Sequence, residues 1–125
     1  MVSRRKILIL DPSPIFRRTL KQMIRTRETD VDVAESENTD QAVDIIMRQG
    51  VDVVLLDIAT PRHNGVEFIA SIKRMAPKAR VIVLSSHDSK EYKEASLRNG
   101  ADFFLSKEGS CGRRLVEIIH QAVRA

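Results

Sequence analysis

Val51-Asp52-Val53-Val54-Leu55-Leu56-Asp57 is the stretch from which the fold can be read. After Asp52, four branched aliphatic residues follow without a break and end on an acid. A strand with one wet face would alternate apolar and polar residues. An unbroken run is how a strand buried on both faces of a parallel sheet reads. Ile7-Leu8-Ile9-Leu10 and Val81-Ile82-Val83-Leu84 have the same texture, with weaker runs at Val31–Ala34 and Ala101–Leu105. Between these runs the apolar spacing becomes helical. Phe16, Leu20, Met23 and Ile24 share one face; Ala42, Ile45, Ile46 and Gln49 another; Ile69, Ile72 and Ala76 a third. Leu115, Ile118, Ile119, Ala122 and Val123 form a stripe for the last helix.

The boundaries carry their own signals. Ser13-Pro14 reads as an N-cap followed by proline at the first helical position. Asn38 with Gln41, Asn64 with Glu67, and Asp88 with Glu91 resemble capping boxes. Gly50 and Gly100 stand where helices should end, supplying a left-handed residue. The order is βα five times over, which predicts right-handed crossovers and a doubly wound five-stranded parallel sheet. The segment Asp88–Asn99 has the poorest apolar face, mainly Tyr92, Ala95 and Ser96, and is the helix expected to move.

Length and composition agree. At roughly 100–200 residues per domain, 125 residues make one domain, taken as residues 1–125. The chain is 42% hydrophobic and 30% charged, which suits a globular protein and not a disordered one. Its single cysteine, Cys111, excludes an internal disulfide and a Cys-rich zinc module, and suits a reducing, cytoplasmic setting. No apolar run approaches the ~18–20 residues that span a bilayer, and no signal peptide is visible at Met1.

In an open parallel sheet, ligands bind beyond the carboxyl ends of the strands. Asp11, Asp57, Ser85 and Lys107 each follow or end a strand and should project from that one edge. A single Asp after a strand is commonplace, since Asp starts turns and caps helices. Four such groups at one edge could hold a divalent cation through the carboxylates and a phosphoryl group through Lys107 and Ser85.

These motifs resemble the receiver domain of bacterial two-component response regulators, over the whole length. The matching stretches are Lys6-Ile-Leu-Ile-Leu-Asp11, Val51–Pro61 with Asn64-Gly65-Val-Glu67, Val81–Ser86, and Gly100-Ala-Asp-Phe-Phe104-Leu-Ser-Lys107. The resemblance implies a flavodoxin-like strand order, 2-1-3-4-5. It implies that Asp57 accepts a phosphoryl group from a phosphohistidine on a sensor histidine kinase or phosphotransfer protein. Mg²⁺ would be held by Asp11, Asp57 and the Ala59 backbone carbonyl. Lys107 would pair with a phosphoryl oxygen, Ser85 would shift to bond another, and Phe104 would turn inward as the aromatic switch. Ala59 and His87 occupy positions that tune the lifetime of the acyl phosphate. The output would be a changed surface on helix 4, strand 5 and helix 5, offered to a downstream target, a missing output domain or a second copy. Any catalysis would be limited to the protein's own phosphorylation and dephosphorylation.

One departure stands out. The family usually has two consecutive acids after the first strand, and here the pair is Asp11-Pro12. Altering groups that merely orient metal ligands already costs roughly 10–100-fold in affinity, so losing a ligand should cost at least that. A pseudo-receiver, binding proteins without being phosphorylated, is the alternative. Among milder differences, Glu108 follows Lys107 where proline is frequent, Thr60 precedes Pro61, and His63 lacks a second ligand nearby.

The net charge of +4 has a local component. Arg17, Lys21 and Arg25 recur every four residues, joined by Arg18 and Arg27, with Arg4, Arg5 and Lys6 close to the same end of the chain. This reads as a solvated face or as a docking stripe for an acidic kinase or phosphotransfer partner. Only 4% of residues are aromatic, there is no Trp, and no helix-turn-helix follows, which argues against direct nucleic-acid binding. A flavin enzyme is disfavoured because the loop after the first strand, Asp11-Pro12-Ser13-Pro14, lacks a phosphate cradle.

Overall fold

A computed structural model describes residues 4–57, 65–86, 90–107 and 111–124, apart from the Cys111 side chain. Asn64 and Asp88, two of the expected caps, lie outside these residues, as do Thr60, Pro61, His63 and Glu108. In chain order the elements are β1 (Arg5–Leu10), α1 (Pro14–Arg27), β2 (Val31–Ser36), α2 (Thr39–Gln49) and β3 (Val53–Asp57). They continue with α3 (Gly65–Met75), β4 (Arg80–Ser85), α4 (Lys90–Arg98), β5 (Phe103–Ser106) and α5 (Cys111–Arg124). The strands form one parallel sheet in the order β2-β1-β3-β4-β5, as expected.

The apolar runs are central for the reason their composition implies. Ile7 to Leu10, Val53 to Leu56 and Val81 to Leu84 are all buried, and their side chains alternate between two cores. Ile7, Ile9, Val53, Leu55, Ile82 and Leu84 meet α1 and α5 through Leu20, Ile24, Leu115, Ile118 and Ile119. Leu8, Leu10, Val54, Leu56, Val81 and Val83 meet α2 and α3 through Ala42, Ile46, Phe68, Ile69 and Ile72. Burying each such side chain contributes about 1.5–3 kcal/mol. On α2, Val43 joins the packed face, whereas Gln49 is exposed and its carbonyl accepts from Lys6 Nζ at 2.9 Å.

Two of the expected caps, Ser13 and Asn38, form. Ser13 Oγ accepts from Phe16 N–H at 3.2 Å and Asn38 Oδ1 from Gln41 N–H at 2.9 Å. The Gln41 side chain reaches back to Glu37 N–H at 3.0 Å, one residue earlier than the usual capping box requires. Gly100 takes φ +111°, and a Cβ there would stand 3.0 Å from Lys73 Cγ. Both backbone angle and space therefore favour glycine.

The weakness of α4 is borne out. Ser96 is its one buried residue, and the Ser96 hydroxyl has no hydrogen-bond partner among the described residues. Tyr92 and Leu97 are 45% and 43% exposed. The helix packs beside α3 and β5 with little apolar area to hold it.

Candidate functional site

The strand registers bring the chemistry together. Leu10 pairs with Leu56, so Asp11 and Asp57 are the next residues on adjacent central strands. Asp57 pairs with Leu84, and Ser85 with Ser106, which sets Ser85 and Lys107 along the same carboxyl edge. Lys107 N–H donates to the Ser85 carbonyl at 2.8 Å, tying the two segments as they leave the sheet.

The Lys107 ammonium lies between the two acids, donating to Asp11 Oδ2 at 2.7 Å and to Asp57 Oδ2 at 2.9 Å. Both carboxylates are buried, at 2% and 6% exposure for the residues. Burial alone would lower the lysine's pKa. The hydrogen bonds to Asp11 and Asp57, and the charges of both, outweigh it and hold the ammonium above its ordinary 10.5. The Phe16 ring, with its centroid 4.1 Å from Lys107 Nζ, adds a cation–π contact.

A raised lysine pKa makes stability depend on alkaline pH in a defined direction. The pairing contributes fully below 10.5, the unfolded value, and is lost as pH rises through the higher folded value. Urea midpoints measured from about pH 9 to about pH 12 should fall. In Lys107→Met that part of the fall should disappear. Parallel curves for the two proteins would contradict the assignment.

Asp11 is held more firmly than the sequence suggested. Its Oδ1 accepts Ser13 N–H at 2.8 Å, an Asx-type turn closed around Pro12. The Arg17 guanidinium donates to the Asp11 carbonyl through Nη1, and its Nε bonds Glu35 Oε1 at 3.1 Å. Lys21 Nζ lies 3.6 Å from Glu35 Oε2. Arg17 and Lys21 are thereby tied to Glu35, so two members of the basic stripe along α1 already have an acidic partner within the fold. The brace formed by Phe16, Arg17 and Glu35 was not foreseen. Its one signal in the sequence is that the first turn of α1 must start at the same sheet edge as Asp11.

Ser85 is fully buried at the end of β4. Phe104 is half-buried against the α2–α3 core, while its neighbour Phe103 faces the α1–α5 side. Ala59 and His87 lie outside the described residues. The pair Asp11 and Asp57 offers hard carboxylate oxygens, which fit Mg²⁺ chemistry. Among the described residues no group of three His, Cys, Asp or Glu side chains could hold a metal.

A doubly wound sheet with two acids, a hydroxyl residue and a bridging lysine at its carboxyl edge defines the class to which this protein is to be compared. The family model described as "Response regulator receiver domain" matches residues 7–120, and the chain belongs to that family. It is 30% identical to the chemotaxis protein CheY of Listeria monocytogenes over 119 residues, covering 95% of this chain and 98% of that protein. It is 34% identical over 103 residues to the transcriptional regulatory protein DegU of Brevibacillus brevis, covering 82% of this chain and 44% of that one. With the nitrate/nitrite response regulator NarL of Escherichia coli the identity is 29%, over 93% of this chain and 53% of the other. The chain thus spans about half the length of those two regulators. Among solved structures, a CheY-like receiver domain from Methanospirillum hungatei aligns with a TM-score of 0.88 at 24% identity, covering 98% of this chain and 95% of that one. A response regulator from Burkholderia pseudomallei, solved with a phosphorylated aspartic acid, a calcium ion and citrate, aligns at 0.81 and 24% identity over 95% and 66% of the chains. The described residues contain no helix long and apolar enough to cross a membrane.

Proposed function

We propose that this receiver domain, occupying residues 1–125, accepts a phosphoryl group on Asp57 from a phosphohistidine of a sensor kinase or phosphotransfer protein in the bacterial cytoplasm. The observation that carries this reading is the Lys107 ammonium hydrogen-bonded to both Asp11 and Asp57 at the carboxyl edge. A carboxylate oxygen of Asp57 attacks phosphorus, and an O–P bond forms as the histidine N–P bond breaks. The electron pair of the broken bond stays on the imidazole nitrogen, which takes up a proton. Asp11, Asp57 and the Ala59 carbonyl would hold Mg²⁺, which when bound neutralises charge between carboxylate and phosphoryl oxygens.

Lys107 then transfers its donor bond from Asp57 to a phosphoryl oxygen, and the Ser85 hydroxyl donates to another. Movement of the Ser85 segment lets Phe104 turn inward, and His87 and Ala59 set how readily water reaches the acyl phosphate. The weakly anchored α4, with β5 and α5, presents the altered surface to a downstream protein, to an output domain, or to a second copy.

Incubation with Mg²⁺ and acetyl phosphate should add the mass of one phosphate, and Asp57→Ala should abolish the gain. No gain at saturating donor, or a gain that persists in Asp57→Ala, would overturn the reading.

One observation favours a second reading. Both carboxylate oxygens of Asp11 are already engaged, by Ser13 N–H and by Lys107. Pro12 adds no acid beside it. A domain whose lysine serves as the built-in counter-cation could act as a pseudo-receiver, recognising partners without phosphorylation.

A further inference from the structure

The excess of positive charge is concentrated in one layer of the molecule. Helix α1 carries Arg17, Arg18, Lys21, Arg25 and Arg27 and no acid, while α5 carries Arg113, Arg114 and Arg124 against Glu117. These two helices hold eight basic residues and one acid, a net of +7, whereas the whole chain carries +4. Glu28, just beyond α1, is buried and turned inward, bonding His120 Nδ1 at 2.9 Å and lying 3.5 Å from Arg124. Arg17 and Lys21 are held by Glu35. Among the described residues, the exposed Arg18, Arg25, Arg27, Arg113 and Arg114 make no ion pair.

Between the two helices runs an open groove of about 610 Å³, lined by Met23, Arg27, Gly112, Arg113, Val116 and Glu117. Half-buried Met23 and Val116 make its floor apolar, and the floor continues inward towards Ile24 and Ile119. A Cβ placed on Gly112 would meet nothing within 4 Å, so an incoming side chain has room there.

We propose that the α1–α5 groove docks an acidic amphipathic helix of a partner protein. One or two of its apolar side chains would rest on Met23 and Val116, and its carboxylates would pair with Arg27 and Arg113. A second copy of this chain does not suit the groove, because Arg27 and Arg113 would face their own like charges. A membrane surface does not suit it either. Among the described residues, the large exposed hydrophobics, Ile15, Met47, Tyr92 and Leu97, all lie outside the groove and offer it nothing to insert into lipid. Nucleic acid is disfavoured by the absence of an aromatic ring in the lining and by the Glu117 carboxylate in its wall. The groove shares no residue with the Asp57 site, and the proposal does not depend on phosphorylation.

The test uses the full chain and a fluorescein-labelled synthetic helical peptide, with leucines at i and i+4 surrounded by glutamates, followed by fluorescence anisotropy. Saturable binding is expected, weakening as salt rises. The pair Arg27→Glu with Arg113→Glu should weaken it at least about tenfold, as expected for lost interfacial charge pairs. Val116→Ser should weaken it several-fold. The control pair Lys93→Glu with Arg98→Glu on α4 makes the same change in net charge and should leave binding nearly intact. Asp57→Ala should bind like the parent, which separates this outcome from that of the phosphorylation test. If charge reversal disturbs folding, as judged by melting, Arg27→Gln with Arg113→Gln serves in its place. Equal losses from the groove and α4 pairs would overturn the proposal. So would equal binding of a glutamate peptide with its leucines scrambled, or displacement of the peptide by lower concentrations of duplex DNA or phosphatidylglycerol vesicles.

Discussion

Pro12→Asp is expected to raise the affinity for Mg²⁺ by at least about tenfold, measured by isothermal titration calorimetry. The reasoning is local. Pro12 is exposed, precedes the N-cap Ser13 and belongs to no element, so the replacement disturbs no packed side chain. Among the described residues of the parent, the carboxylates within reach of Lys107 are Asp11 and Asp57, and one positive charge stands between them. A divalent cation must compete with that ammonium. A third carboxylate enlarges the excess of negative charge and supplies a hard oxygen ligand, and even groups that only orient such ligands are worth roughly 10–100-fold. Pro12→Ala separates the two contributions, since it removes the ring without adding charge, and it should change affinity little. Acyl-phosphate formation from acetyl phosphate should accelerate in Pro12→Asp alone. Equal Mg²⁺ affinity in all three proteins would show that the position has no part in metal binding.

Lys107→Met is the second large effect, and it is expected to act on stability as well as on phosphoryl transfer. The substitution leaves two buried carboxylates facing each other without their shared donor. Breaking a buried pair by removing one partner costs about 3–5 kcal/mol. The site opens at the sheet edge, where the Lys107 side chain is 18% exposed, so about 3 kcal/mol is the expected loss at neutral pH in urea unfolding. Adding Asp57→Asn to Lys107→Met should recover a large part of that loss, because the remaining carboxylate no longer faces another charge. A double-mutant cycle with no coupling between positions 57 and 107 would contradict the proposed electrostatic role.

The parts of the site that were legible in the sequence came from strand ends. Each continuous apolar run had to lie inside the sheet, so the polar residue ending it had to emerge at one edge, and Asp11, Asp57, Ser85 and Lys107 do so. The brace around Asp11 was not legible in the same way. Arg17, Lys21 and Arg25 recur at helical spacing and read as one stripe, yet Glu35 of β2 takes two of them. That pairing joins residues 18 and 14 positions apart and depends on how α1 packs against the sheet. The α2 face shows a smaller difference of the same origin. Gln49 falls in phase with Ala42, Ile45 and Ile46, but helix α2 ends at Gln49, beside the exposed Gly50, and Val43 completes the packed face.

Composition and periodicity alone determined that this chain would be a doubly wound parallel sheet with its polar chemistry at one edge. Burial on both faces demands unbroken apolar runs, and the pleat fixes which residues follow them. Tertiary structure alone decided that one lysine would bridge both acids, that both oxygens of Asp11 would be engaged, and that α1 and α5 would combine their charges beside a common groove. These are questions of distance between residues far apart in sequence. Coulombic and hydrogen-bond energies change over an ångström or two, whereas a hydrophobic pattern specifies only the face on which a residue lies.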